Sequence, residues 1–135
     1  MKIIPYLRFN DDKCREAFDF YKNCFGGEIT FQTVGESQMP EEYKTAPDKI
    51  MHATLKSGEL AIYGSDMMRD KAVIGDQIAL TYEPNNEDDA KAIFAKLSEG
   101  GEVFQPLEKQ FWGALFGMVT DKYGIEWMIN YQLPE

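Results

Sequence analysis

Apolar residues recur along this chain with two periods, and the switches between them divide it into elements. Cys14, Ala17, Phe18, Tyr21, Cys24 and Phe25 fall at i, i+3, i+4, i+7, i+10 and i+11, the spacing of one helical face. Asp11 or Asp12 offers a cap in front of this stripe and Gly26-Gly27 stops it, which predicts a helix over 12–25. A second stripe, Ala90, Ile93, Phe94 and Leu97, follows Pro84-Asn85-Asn86, whose asparagines supply its cap. Elsewhere the period is two. Alternation predicts strands over 3–9, 28–34, 50–56 and 60–64, with Ser57-Gly58 turning the hairpin between the last two. It predicts four more over 77–83, 102–108, 114–120 and 125–131.

The order of elements repeats. Gly26-Gly27-Glu28 recurs as Gly100-Gly101-Glu102, 74 residues on, and Thr54-x-Lys56-x-Gly58 recurs as Thr120-x-Lys122-x-Gly124, 66 residues on. The first half therefore carries about eight more residues between strands, located in the polar stretch 35–49 with Pro40 and Pro47. That stretch predicts a mobile loop, in which Met39 and Tyr43 are placed to cover a ligand. Each half reads βαβββ: a first module over about 1–64, a linker over 65–75 and a second module over about 76–135, all within one domain. The class is α+β. Two helices among eight strands exclude a doubly wound nucleotide fold, which needs a helix at nearly every parallel crossover. A ligand site between the two copies is the usual outcome of such pairing.

Composition narrows the partners. A chain of 135 residues, 44% hydrophobic, buries roughly 65–70% of its unfolded surface in a single core. No apolar run approaches the ~20 residues of a membrane span, and Met1-Lys2-Ile3-Ile4-Pro5 is too short for a signal peptide, so a cytoplasmic protein with no membrane partner is expected. A formal charge of −9 without a basic stripe argues against nucleic acid. Cys14 and Cys24 lie ten residues apart on one helix, about 15 Å along its axis, so they do not bridge and are expected as buried packers. Glycine-rich phosphate loops, C-x-x-C and H-E-x-x-H are all absent.

Several segments together carry a family resemblance. They are Tyr6-Leu7-Arg8-Phe9-Asn10, Glu16-Ala17-Phe18-x-Phe20-Tyr21 running into Phe25-Gly26-Gly27-Glu28, and Met51-His52-Ala53. Further on come Phe111-Trp112-Gly113-Ala114-x-Phe116-Gly117 and Asp121-x-Tyr123-Gly124-x-x-Trp127-x-Ile129-Asn130. Over nearly its whole length the chain resembles the PhnB-like branch of the glyoxalase/bleomycin-resistance, or vicinal oxygen chelate, superfamily. The resemblance implies two tandem βαβββ modules forming a curved, cavity-enclosing sheet, and commonly a homodimer. It does not fix function, because members include metal-dependent isomerases and dioxygenases, thiol-transfer enzymes and proteins that only sequester a drug. Some relatives of this branch are labelled demethylubiquinone methyltransferases, yet no strand–glycine loop–helix suited to S-adenosylmethionine is visible.

Catalytic members of the superfamily hold a divalent metal with His or Glu from the first and fourth strands of each module. Ile4-x-x-Leu7-x-Phe9 aligns here with Gln77-x-x-Leu80-x-Tyr82, where metal binders begin with His. The fourth-strand ligand lies four residues after the turn glycine, which gives Ile62 after Gly58 and Met128 after Gly124. Two isoleucines, an amide and a thioether are poor donors for a divalent cation, and only a shifted register would bring in Glu59 or Glu126. No metal and no other cofactor are expected.

His52 is the only histidine. Strand alternation puts it with Ile50 and Thr54 on one face, opposite the helix-packing Met51, Ala53 and Leu55, and the 66-residue offset matches it to Met118. Three roles stay open for its ring: satisfaction by a neighbouring tyrosine or carbonyl, contact with a ligand, or general-base work. Arg8 is a cation between Leu7 and Phe9, and so wants an acidic partner or an anionic ligand if buried. Tyr63 and Phe116 lie on strands, and Trp112 lies beside Gly113, where it can wall a pocket. The ligand-binding set is therefore His52, Arg8, Tyr63, Trp112 and Phe116. Burial alone also accounts for Tyr63, Trp127 and Tyr131 as core residues, and Met67-Met68 is expected at a dimer contact or against the ligand. The function expected is metal-free binding of a small molecule. The alternative is a metal-assisted lyase, isomerase or dioxygenase, so whether the chain is an enzyme stays open.

Overall fold

The computed structural model describes residues 1–66 and 71–135. Met67 and Met68 lie outside the described residues. The chain divides into two compact units, Met1–Val73 and Ile74–Glu135. The first contains β1 (Tyr6–Phe9), α1 (Cys14–Phe25), β2 (Glu28–Thr33), a 3-10 turn at Glu41–Tyr43, β3 (Ile50–Ser57) and β4 (Leu60–Asp66). The second contains β5 (Leu80–Tyr82), α2 (Glu87–Ser98), β6 (Glu102–Lys109), β7 (Ala114–Thr120) and β8 (Glu126–Gln132). Each unit is βαβββ. The sheets have matching orders, β1-β4-β3-β2 and β5-β8-β7-β6, with the first and last strands parallel and the other pairs antiparallel.

Strand limits differ from the sequence pattern by more than one residue at three places. β1 and β5 are shorter than the alternation suggests, which leaves Ile4 and Gln77 outside any strand. β4 is longer, because parallel pairing of Arg8 with Ser65 and Phe9 with Asp66 carries it into the expected linker.

Both helices bury the stripes their periodicity marks, except that Phe25 at the end of α1 is half-buried. In α1, Cys14, Ala17, Phe18 and Tyr21 are fully covered and Cys24 nearly so, while in α2 Ala90, Ile93, Phe94 and Leu97 are buried. Phe20 is buried as well, off the expected stripe. Phe18 is the centre of the first core, meeting Phe9, Tyr21 and Phe31 edge to face at 6.1–6.3 Å between centroids. Burial of such a ring contributes about 1.5–3 kcal/mol. Gly64 on β4 makes room for it, since a Cβ there would lie 2.7 Å from the Leu7 carbonyl oxygen and 2.8 Å from the Phe18 ring.

The helix starts are capped differently. Asn86 caps α2 as expected, its side chain accepting from the Asp89 N–H at 2.8 Å, with Glu87, Asp88 and Asp89 in the positive first turn. α1 is not capped by Asp11 or Asp12. Both take left-handed backbone angles, and Lys13 occupies the cap position without a side-chain bond. The acceptor comes instead from β4: buried Asp66 takes the Cys14 N–H at 2.9 Å on one oxygen and the Ile50 N–H at 2.8 Å on the other. One carboxylate thus fastens the start of α1 to the start of β3.

That anchor changes the expected face of Ile50. The β2–β3 register shifts between Gln32 and Thr33, so Ile50 pairs with Thr33 and His52 with Gln32, with Met51 extra between them. Ile50 is buried at 2% exposure rather than sharing the open face with His52 and Thr54.

The internal repeat needs a two-residue correction. Glu28 pairs with Lys56 and Glu102 with Thr120, while a Cβ on Gly27 or Gly101 would lie 2.3 Å from the carbonyl oxygen of Lys56 or Thr120 respectively. Thr120 therefore corresponds to Lys56, not to Thr54. The two threonines sit on equivalent strands and equivalent faces, but the five-residue turn Asp121–Ile125 replaces the two-residue turn Gly58–Glu59. The position of the turn glycine in the sequence shifted with it.

Candidate functional site

The sheet of the first unit has a helix-packed face and an open one. Leu7, Phe9, Ala53, Leu55 and Ile62 point to the buried side. Residues directly opposite one another share a face, so Gln32 and His52 form one row, Thr30, Thr54, Tyr63 and Tyr6 a second, and Glu28, Lys56 and Ala61 a third, all on the open side. Arg8 faces the same way, two residues from Tyr6 on β1.

Three of the expected site residues meet here, joined by Tyr6, which was not among them. The Tyr6 and His52 rings stack at 5.8 Å with 28° between planes, and Tyr63 meets His52 edge to face at 5.2 Å. The Tyr6 hydroxyl lies 3.4 Å from His52 Nδ1, the long limit of a hydrogen bond, so the ring has a tyrosine neighbour without being enclosed by it. The Arg8 guanidinium carbon sits 5.7 Å from the Tyr6 ring centroid. Arg8 is exposed and Tyr6 is 43% exposed. The signal for Tyr6 was present in the sequence, since a residue two before Arg8 on a strand shares its face.

Trp112 and Phe116 gather in the second unit. Trp112 lies in the turn before β7, half exposed, with Phe111 at 4.9 Å and Phe116 at 5.9 Å between centroids. Phe116, Met118 and Thr120 share a face of β7, opposite Asn130, Met128 and Glu126 of β8. By the corrected register His52 corresponds to Phe116, not Met118, and Tyr63 to Met128. Trp127 is core, as expected, and donates its Nε1–H to buried Asp121 at 2.8 Å. The same carboxylate accepts the Tyr123 and Ile125 N–H groups and so shapes the β7–β8 turn.

The four superfamily metal positions do not fit a divalent cation. Ile62 is buried against the core, and Ile4 has no donor atom. Gln77 precedes β5, and the Met128 sulfur receives the Thr81 hydroxyl at 3.8 Å. Moving to the open-face counterparts offers Tyr63 with Met128, which is no better as a donor set. Glu59 lies exposed in the β3–β4 turn, and among the described residues Glu126 belongs to no group of three metal-donating side chains. Among the described residues, no three His, Cys, Asp or Glu side chains are grouped to hold a metal.

The stretch 35–49 closes on itself. Val34 and Gly35 N–H groups bond the Lys49 and Pro47 carbonyls at its neck, and the Lys44 ammonium reaches the Gly35 carbonyl and Glu41. Met39 is half-buried while Tyr43 stays exposed. A pocket of about 310 Å³ opens beside this neck, lined by Asp12, Arg15, Ala46, Pro47, Asp48, Lys49, Ile50 and Asp66. None of the five expected site residues lines it. Of its charged groups, Asp66 is engaged on two backbone amides and Lys49 is paired to Asp12. Both cysteines are buried thiols outside any disulfide, and burial with the nearby Asp66 charge pushes the Cys14 thiol up to about 12.

This double βαβββ architecture, with its matched sheet orders, defines a class. The Glyoxalase/Bleomycin resistance protein/Dioxygenase superfamily model matches residues 3–129, and the chain belongs to that family. Protein YjdN of Escherichia coli (strain K12) is 28% identical, covering 96% of this chain and 95% of its own length. The crystal structure of protein PA1353 from Pseudomonas aeruginosa is 36% identical, with 99% of each chain covered and a TM-score of 0.87. The PhnB protein from Bacillus cereus shares the fold at 23% identity and a TM-score of 0.78, over 97% of this chain and 99% of that one. Among the described residues, no helix is long and apolar enough to cross a membrane.

Proposed function

We propose that the protein is a metal-free binder of a small organic molecule, with its recognition face on the open side of the first sheet. The observation that carries this is the Tyr6–His52–Tyr63 cluster with Arg8 beside it. Two rings, an imidazole and a guanidinium converge on a surface that the unit's own helix does not cover. Such a mix of flat apolar area with a few directed polar groups is what small-molecule sites offer. Trp112 and Phe116 supply further aromatic surface to the binder. The superfamily resemblance also supports a homodimer, which sedimentation or light scattering would check.

Elemental analysis of purified, dialysed protein tests the metal-free part and is expected to return well under one divalent metal per chain. One tightly held metal per chain, ligated from the first and fourth strands, would overturn it. For the binding part, His52→Ala should weaken binding of a ligand on this face with little loss of stability, because the half-buried ring stands on the side away from the helix-packed core. A stability loss of several kcal/mol, on the scale of core truncations, with binding unchanged would make His52 structural.

A further inference from the structure

We infer that the ligand of this face is a flat, π-conjugated organic anion, held by Arg8 at its charge and by Tyr6 and His52 at its ring. This inference rests on the binding role proposed above and names the chemical class that role serves.

Charge is the first ground. The chain carries 23 acidic against 14 basic residues, yet the open face of this sheet reverses the balance. Its rows contain Arg8, Lys56 and His52 and a single carboxylate, Glu28, which stands opposite Lys56. Ion pairs among the described residues engage Lys13, Lys44, Lys49 and Lys91. Among the described residues, Arg8 has a tyrosine ring beside it and no carboxylate paired to it, in a protein where carboxylates are abundant. A guanidinium in that state presents its planar fork of N–H donors to a ligand carboxylate or phenolate.

Shape is the second ground. Tyr6 and His52 lie nearly parallel, and Tyr63 closes on His52 edge to face, so the cluster offers both a ring face and ring edges. A conjugated ring set over this surface stacks, while its charged substituent reaches the guanidinium on the neighbouring row. A saturated anion would keep the charge contact and lose the stacking. A neutral arene would do the reverse.

The test uses the lone imidazole as reporter, because a single histidine gives unambiguous ring C–H resonances at fixed pH. The probes are 2-naphthoate, naphthalene-2-methanol and cyclohexanecarboxylate, titrated against the full chain and against Arg8→Gln and Arg8→Lys. We expect 2-naphthoate to shift the His52 resonances saturably, and both other probes to bind about tenfold or more weakly. Arg8→Gln should bring the naphthoate down to the level of the alcohol, Arg8→Lys should restore part of the difference, and the melting temperature should not move. Equal binding of alcohol and naphthoate, or naphthoate binding indifferent to Arg8→Gln, overturns the anion class and leaves the site standing. Equal binding of the saturated anion overturns the π requirement alone. If none of the three probes moves His52, both the class and the site fall, and the metal measurement above still judges the metal-free part separately.

Discussion

Replacing Asp66 with alanine should cost more than replacing any exposed acid, although no sequence motif marks this residue. Asp66 is 2% exposed and accepts two backbone N–H groups, from Cys14 at 2.9 Å and Ile50 at 2.8 Å. Hydrogen bonds to a charged group contribute about 1.5–3 kcal/mol each, and a buried donor left without a partner costs about 1–3 kcal/mol. Water entering beside the neighbouring pocket offsets part of this, so a net loss of about 3–5 kcal/mol is expected. For a chain of this length that lowers the melting temperature by roughly 10–15 °C. Asp66→Asn keeps one carbonyl acceptor and should lose about half as much. Urea denaturation followed by far-UV circular dichroism suits the measurement, because both tryptophans lie in the second unit and would report Asp66 poorly. Asp48→Ala, at an exposed position nearby, is the control and should stay within about 0.5 kcal/mol. An Asp66→Ala loss below about 1 kcal/mol with an unchanged denaturant slope would refute the anchoring role. Because Ile50 begins the bulge that aims His52, the same variant should also displace the His52 ring resonances.

Three further outcomes follow from the packing. The Cys14 thiol, raised from 9.0 to about 12, should resist thiol reagents at pH 8 without denaturant; the unfolded chain ionises first, so stability should fall as pH climbs from about 9 toward 12, read by urea midpoints across that range. Trp127→Phe keeps a buried aromatic ring but removes the pyrrole part with its Nε1–H bond to Asp121, and should cost at least about 1–3 kcal/mol in the same denaturation assay. Gly64→Ala forces a Cβ to within 2.8 Å of Phe18 and 2.7 Å of the Leu7 carbonyl, so it should lower stability by at least about 1–3 kcal/mol; an unchanged urea midpoint would refute that crowding.

What was legible in the sequence is what local periodicity controls. The helical stripes from Cys14 to Phe25 and from Ala90 to Leu97, the Asn86 cap and the glycine stops all follow from residues within one or two turns of one another. The placement of His52 on an open face followed from alternation, despite the bulge at Met51 that moved Ile50 to the other side. The missed features are the long-range ones. The cap of α1 comes from Asp66, 52 residues away, and nothing local distinguishes that aspartate from Asp11 or Asp12. The match of Thr54 to Thr120 failed for a related reason. Turn length is free to change while the strand ladder is not, so a motif spanning a turn carries the turn's insertion into the alignment.

The corrected register also separates what the two units keep from what they change. On the helix-packed faces, Ala53, Leu55 and Ile62 correspond to Gly117, Val119 and Trp127, and all six are buried. Packing against a helix demands apolar or small side chains there whatever the protein does. On the open faces, His52, Thr54 and Tyr63 correspond to Phe116, Met118 and Met128, which replaces an imidazole and two hydroxyls by a phenyl ring and two thioethers. The backbone repeats because its ladders and cores constrain it. The open faces are free of that constraint, and at these three positions they differ in chemistry, with directed polar groups on the first and a phenyl ring and thioethers on the second.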